Sequence, residues 1–232
     1  MPRRGAMSET DFIKRRKWLL VSTILLALCA LIVSLVFLGR IKGWVGGRDE
    51  MELLTVIDRE HPVPSALSLT LSFIDDEHMV DTRCAAEAER MLAACRLAGH
   101  EPMIKAAYLS ESAQRELLNA LAESYMAEGR DAVSARALAL QSIDEPGYSE
   151  HQLGLALDIA DAREEQRGGT QRWLSEHAWE YGFILRYPAG KESLTHHGAS
   201  PEHYRFVGAE AAKQIYELNI TLEEYLGMFY SN

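Results

Sequence analysis

His151 and Asp158 stand seven positions apart in "SEHQLGLALDI", on either side of Gly154 and among apolar residues. An imidazole and a carboxylate can share a metal ion only if their donor atoms come within a few ångströms. On an α-helix seven residues rise about 10.5 Å, and on a straight strand about 23 Å, so neither regular element alone would bring the pair together. A turn near Gly154, where a residue without Cβ takes unusual dihedrals, followed by a strand over Leu155 to Ile159, would fold Asp158 back beside His151. The spacing alone also fits a surface histidine and an aspartate ending a strand. A zinc site that works as a catalyst commonly uses three protein ligands and leaves a position open. The chain offers further histidines at 61, 78, 100, 177, 196, 197 and 203. His177 reads as a helix-surface residue, His61 as a turn residue before Pro62, and His196 and His197 as a loop pair. His203, opening the strand-like "HYRFVG" beside Glu202, is the best placed third ligand.

The elements around these residues predict an α+β domain, with a small, mostly antiparallel sheet and helices packed around it, preceded by one transmembrane helix. "LLTVIDREHPVP" is a β-prone run that ends at prolines. Helical patterns follow over Val80 to Leu97, with Asp81 or Thr82 as N-cap and Gly99 as stop, then from an N-cap at Ser110, and again over Asp131 to Gln141. "PMIKAAYL" and "FILRYP" read as strands, "SIDEPGYS" as a turn, Thr170 to Tyr181 as a helix and Ala209 to Leu218 as a closing helix. Cys84 and Cys95 fall in one helical pattern, too far apart on a straight helix to bridge, and read as small core residues.

Residues 18–39, "WLLVSTILLALCALIVSLVFLG", contain no charge and match the length of a bilayer-crossing helix. Six basic residues precede them and Arg40, Lys42 and Arg48 follow, which predicts a signal anchor with its N-terminus in the cytoplasm. The expected organisation is a basic cytoplasmic tail over 1–17, the anchor over 18–39, a linker over 40–51 and an extracytoplasmic domain over 52–232. From residue 43 onward the chain carries 16 basic against 32 acidic residues, a formal charge of −16, which excludes nucleic acid as a partner.

"PGYSEHQLGLALDI", "AWEYGFILRYP" and "HYRFVG", in this order and at these distances, resemble the zinc-dependent D-alanyl-D-alanine carboxypeptidases of the VanY type, whose relatives include D,D-dipeptidases and L,D-carboxypeptidases. The likeness extends upstream through "LLTVIDREHPVP" and "VDTRCAAEAERMLAACRLAGHEPMIKAAYLSESAQ". It implies a membrane-anchored metallopeptidase that removes the C-terminal residue of peptidoglycan stem peptides. It also implies Zn2+ as cofactor, with His151, Asp158 and His203 as ligands. Tyr108, Gln114 and Ser149 match positions at the family's substrate pocket, and Arg205 matches a family arginine. Two positions depart from the pattern. The family reads Glu-Pro-Trp-His where this chain has Ser200-Pro201-Glu202-His203, so the usual general base is a serine, and Glu202 is the expected substitute. Adjacent residues on a regular strand face opposite ways, so that role requires an irregular backbone near Pro201. In "AAYLS", Leu109 stands where the family has an arginine. The alternative reading is a catalytically impaired relative that binds cell-wall peptides as a zinc-containing or regulatory module. A closed structural site is a third reading, and would need His196 or His197 as a fourth ligand.

Overall fold

A computed structural model of the chain describes residues 51–163 and 167–230. The expected anchor, tail and nearly all of the linker lie outside these residues. Among the described residues no helix is long and apolar enough to cross a membrane.

The fold begins with a hairpin of β1 (Leu71–Phe73) and β2 (Met79–Asp81), closed by Asp75, whose carboxylate accepts from the backbone N–H groups of Glu77 and His78. Asp81 then caps α1 (Thr82–Leu97) by accepting from the Arg83 amide at 2.9 Å. Cys84, Ala88, Met91, Leu92 and Cys95 recur at three- and four-residue spacing and form its buried stripe. Burial pushes the Cys84 thiol up to about 12 and the Cys95 thiol up to about 11, so both stay protonated core groups. After β3 (Pro102–Ala106) come α2 (Glu111–Ala127) and α3 (Ala132–Ala139), capped by the side chains of Ser110 and Asp131.

A short 3-10 helix, Glu150–Leu153, runs into β4 (Ala156–Asp161). Next come α4 (Arg167–His177), a second 3-10 helix over Ala178–Tyr181, β5 (Phe183–Tyr187), the single turn α5 (Glu192–Thr195) and β6 (Ser200–Phe206). Two helices close the chain, α6 (Ala209–Leu218) and α7 (Leu222–Phe229); the second, with a Thr221–Glu224 capping box, is not anticipated from sequence.

The main sheet has the strand order β3-β4-β6-β5, with every neighbouring pair antiparallel. Leu157 and Ile159 of β4, Phe183 of β5 and Tyr204 and Phe206 of β6 pack on one face with α1 and Leu174 of α4. Burying each such side chain is worth roughly 1.5–3 kcal/mol. Strand alternation therefore turns Asp158 to the opposite face. A second cluster joins Leu54, Ile184 and Val207 to α6 and α7.

The β-prone run "LLTVIDREHPVP" forms no strand. Leu54 and Ile57 bury their side chains, but the Arg205 guanidinium takes the carbonyls of Leu53 and Thr55 at 2.9 Å each, and Asp58 and His61 close a turn by pairing their backbones. Those backbone groups are committed before any neighbouring strand could use them.

Candidate metal centre

Three elements deliver the three candidate ligands. His151 sits in the 3-10 turn, Asp158 on β4 and His203 on β6, where Asp158 and His203 are direct cross-strand partners. The turn between His151 and β4 depends on Gly154, which adopts φ 66°. A Cβ there would lie 2.9 Å from the Asp81 backbone nitrogen, and the Gly154 carbonyl accepts from that same Asp81 amide at 2.8 Å. Glycine is thus required both by the left-handed backbone and by the close approach of β2. The result is a cluster of one donor atom from each residue, all within 4.8 Å of one another.

Hydrogen bonds behind the cluster fix which atoms face it. His151 Nδ1 lies 2.8 Å from the Ala107 carbonyl, which can only accept, so Nδ1 carries the proton and Nε2 is free, 3.2 Å from Asp158 Oδ2. His203 Nε2 faces Glu150 Oε2 at 3.4 Å, and its Nδ1 lies 2.8 Å from Asp158 Oδ1. Donor atoms about 2.0–2.2 Å from a tetrahedral zinc are themselves a little over 3 Å apart, so two imidazole nitrogens and one carboxylate at these separations fit zinc. Burial opposes the charge on Asp158, but the two histidines beside it hold its carboxyl well below the usual range. Burial likewise opposes the charged form of His203, yet Asp158 and Glu150 outweigh it and push the imidazole up to about 9.

Glu150 is the residue that sequence reasoning misses. It is 1% exposed and its Oε1 meets Arg186 Nε at 2.8 Å and Arg205 Nη1 at 2.7 Å. Burial alone would raise its pKa, but Arg205, Arg186 and His203 hold it well below the ordinary carboxylate value. The signal was present in the sequence: Arg186 interrupts the apolar strand "FILRYP" and needs a buried partner. Arg205 was expected among the catalytic groups. Instead it is 0% exposed, tied to Glu150 and to the backbone at Leu53 and Thr55, so it supports a ligand rather than meeting a substrate.

The remaining expected residues surround the cluster. Ser149 and Gln114 are buried; Gln114 Nε2 donates to the Asp144 carbonyl at 2.9 Å, while Gln114 Oε1 and Ser149 Oγ have no protein partner. Tyr108 is half-buried and its amide donates to Met79, and the Leu109 amide donates to the His151 carbonyl. The carboxylates that His196 and His197 face are Asp58 at 3.6 Å and Asp144 at 3.7 Å, and neither histidine belongs to the cluster. Among the described residues, then, three protein groups could hold a zinc ion, and neither His196 nor His197 supplies a fourth.

Glu202 occupies an irregular stretch. Leu185 pairs with Tyr204 but Tyr187 pairs with Ser200, so β6 carries two extra residues between these pairs. On the other side β3 slips between Ile104 and Ala106, opposite Asp158. Lys105 Nζ reaches Glu202 Oε2 at 2.9 Å across the intervening β4. Both side chains are solvent-accessible, 51% and 30%, so the pair crosses on the face away from the core, which is the face of Asp158.

Known proteins share this sequence pattern and fold. The sequence model of the VanY family, D-alanyl-D-alanine carboxypeptidase, matches residues 77–209. The chain belongs to this family. A D-alanyl-D-alanine carboxypeptidase of Enterococcus faecalis is 36% identical over 180 residues, covering 77% of this chain and 67% of the relative. The bifunctional D-Ala-D-Ala dipeptidase and carboxypeptidase VanXYC of Enterococcus gallinarum is 30% identical, covering 75% and 94%. Among solved structures, a point variant of the D,D-pentapeptidase VanY from a VanB-type resistance cassette, in complex with Zn(II), superposes with a TM-score of 0.70 at 34% identity, covering 75% of this chain and 99% of that one. VanYB in complex with D-alanine-D-alanine gives the same TM-score and identity, with 76% and 98% covered. With its donor set, the chain is a zinc-dependent carboxypeptidase of the VanY type.

Proposed function

We propose that this chain removes the C-terminal D-alanine of peptidoglycan stem peptides on the outer side of the cytoplasmic membrane, held there by residues 18–39 acting as an anchor. The observation that carries the reading is the cluster of His151, Asp158 and His203, with both imidazole tautomers set from behind by Ala107 and Glu150. The uncharged run of 22 residues and the basic residues before it support the anchor and its orientation. A relative named D-alanyl-D-alanine carboxypeptidase and the VanYB complex with D-alanine-D-alanine support the substrate.

A zinc ion held by His151, Asp158 and His203 would supply a Lewis acid for the scissile carbonyl and lower the pKa of a water molecule. The chain's own groups do the rest. Glu150 and the Ala107 carbonyl keep the ligand nitrogens aimed inward, an arrangement whose loss typically costs 10- to 100-fold in metal affinity. Ser149 Oγ and Gln114 Oε1, buried without protein partners, are hydrogen-bonding groups for the peptide, and Tyr108 lines its approach. Glu202, on the ligand face and held by Lys105, accepts the proton from the attacking water and returns it to the leaving amine.

Replacing Glu202 by Gln tests this assignment. Turnover is expected to fall by roughly 10²- to 10⁴-fold with zinc content unchanged. Turnover at the wild-type rate would remove Glu202 from the mechanism.

A further inference from the structure

Beside the metal centre the domain has a cleft of about 670 Å³ walled by Arg59, Leu140, Gln141, Asp144, Glu145 and Tyr148. Arg59, Asp144 and Tyr148 also border a small recess that reaches Tyr187 and His197. Tyr187 stacks on His197 with ring centroids 3.9 Å apart and lies 5.0 Å from the ring of His203. Asp144 on the cleft wall also accepts from Gln114 Nε2 through its carbonyl at 2.9 Å, so the cleft adjoins a group assigned to the peptide, and a peptide with its scissile bond at the cluster can run on into it.

The charges in the cleft are unevenly satisfied. Glu145 pairs with Arg136 at 2.8 Å and Asp144 faces His197 at 3.7 Å. Arg59 donates only to the Leu140 carbonyl, at 3.5 Å, and has no carboxylate partner among the described residues. In a domain with twice as many acidic as basic residues, an exposed guanidinium left without a carboxylate on a cleft wall is suited to binding one from a ligand, through two parallel N–H donors.

We propose that Arg59 binds a carboxylate of the substrate upstream of the scissile bond. In a stem peptide this is the free α-carboxylate of the γ-linked D-glutamate, two residues before the D-alanine whose carbonyl is attacked. The inference rests on the stem-peptide reading and adds to it a selectivity for unamidated over amidated stems. A second carboxylate is present when the third residue is diaminopimelate, and a lysine at that position removes it.

The test compares the zinc-loaded full chain on L-Ala-γ-D-Glu-L-Lys-D-Ala-D-Ala and on the same peptide with D-isoglutamine at the second position. The acid is expected to be favoured about tenfold in kcat/KM, chiefly through KM. In Arg59→Gln the ratio of acid to amide should fall to about one, and Arg59→Lys should keep part of it. Because the ratio is internal to each protein, partial unfolding of a variant does not change it. Equal rates on the two peptides in the wild type, or an unchanged ratio in Arg59→Gln, would overturn the proposal. So would a preference that returns in full when the amidated peptide carries diaminopimelate, since the carboxylate read would then be at the third residue. If the wild type cleaves neither peptide, the peptidase reading fails by itself. Titration calorimetry with the same two peptides then decides the role of Arg59, and equal affinities would refute it.

Discussion

Two sets of charges flank the metal cluster, and they are built differently. Behind it Glu150, Arg186 and Arg205 are buried, multiply bonded to one another, and joined to His203 on one side and Glu223 on the other. In front, Lys105–Glu202 and Asp144–His197 are single contacts between partly exposed groups. The rear network leaves costly unpaired charges when it is broken. The front pairs are weakly held and free to exchange partners with a substrate. Damage at the rear should therefore appear as lost stability and lost zinc, and damage at the front as lost turnover.

The largest effect expected from this contrast is at Glu150. Glu150→Gln leaves the buried Arg205 without a carboxylate and Arg186 with Glu223 alone, and should cost about 3–5 kcal/mol in denaturant unfolding, with weaker zinc binding. A loss within experimental error would mean the rear network is not what holds the ligands. The pH dependence of zinc binding comes next. In the zinc-free protein His203 has its pKa pushed up to about 9, so at neutral pH a proton competes for the ligand nitrogen. Zinc affinity, read by chelator competition, should rise roughly tenfold per pH unit from neutrality until it levels near pH 9. The same shift stabilises the zinc-free fold fully below the unfolded value of 6.5, and that contribution is lost as the pH rises through about 9. A flat affinity profile would contradict the arrangement. The smallest effect on stability belongs to Lys105→Met, less than about 1 kcal/mol, accompanied by slower turnover. If this variant unfolded as readily as Glu150→Gln, the distinction between rear and front would collapse.

The same contrast explains what could be read from the sequence. Caps and stops are local: Asp81, Ser110 and Asp131 accept from amides two or three residues ahead, and all three helix starts were visible. The Gly154 turn was visible because a His and an Asp seven apart can share a metal only through such a break. Groups whose partners lie far along the chain were not. Glu150 looks like one more acidic residue until Arg186, 36 positions later, comes beside it. "LLTVIDREHPVP" has the composition of a strand, but its carbonyls are claimed by Arg205 about 150 residues away. The two extra residues in β6, which allow Glu202 onto the ligand face, show only in the pairing with β5.

Zinc content and D-alanine release, measured on the same preparations of the full chain with a peptide ending in D-Ala-D-Ala, test the central claim most directly. The account predicts stoichiometric zinc and steady release in the wild type, with both lost in His203→Ala. Release that persists in a zinc-free His203→Ala protein would contradict it.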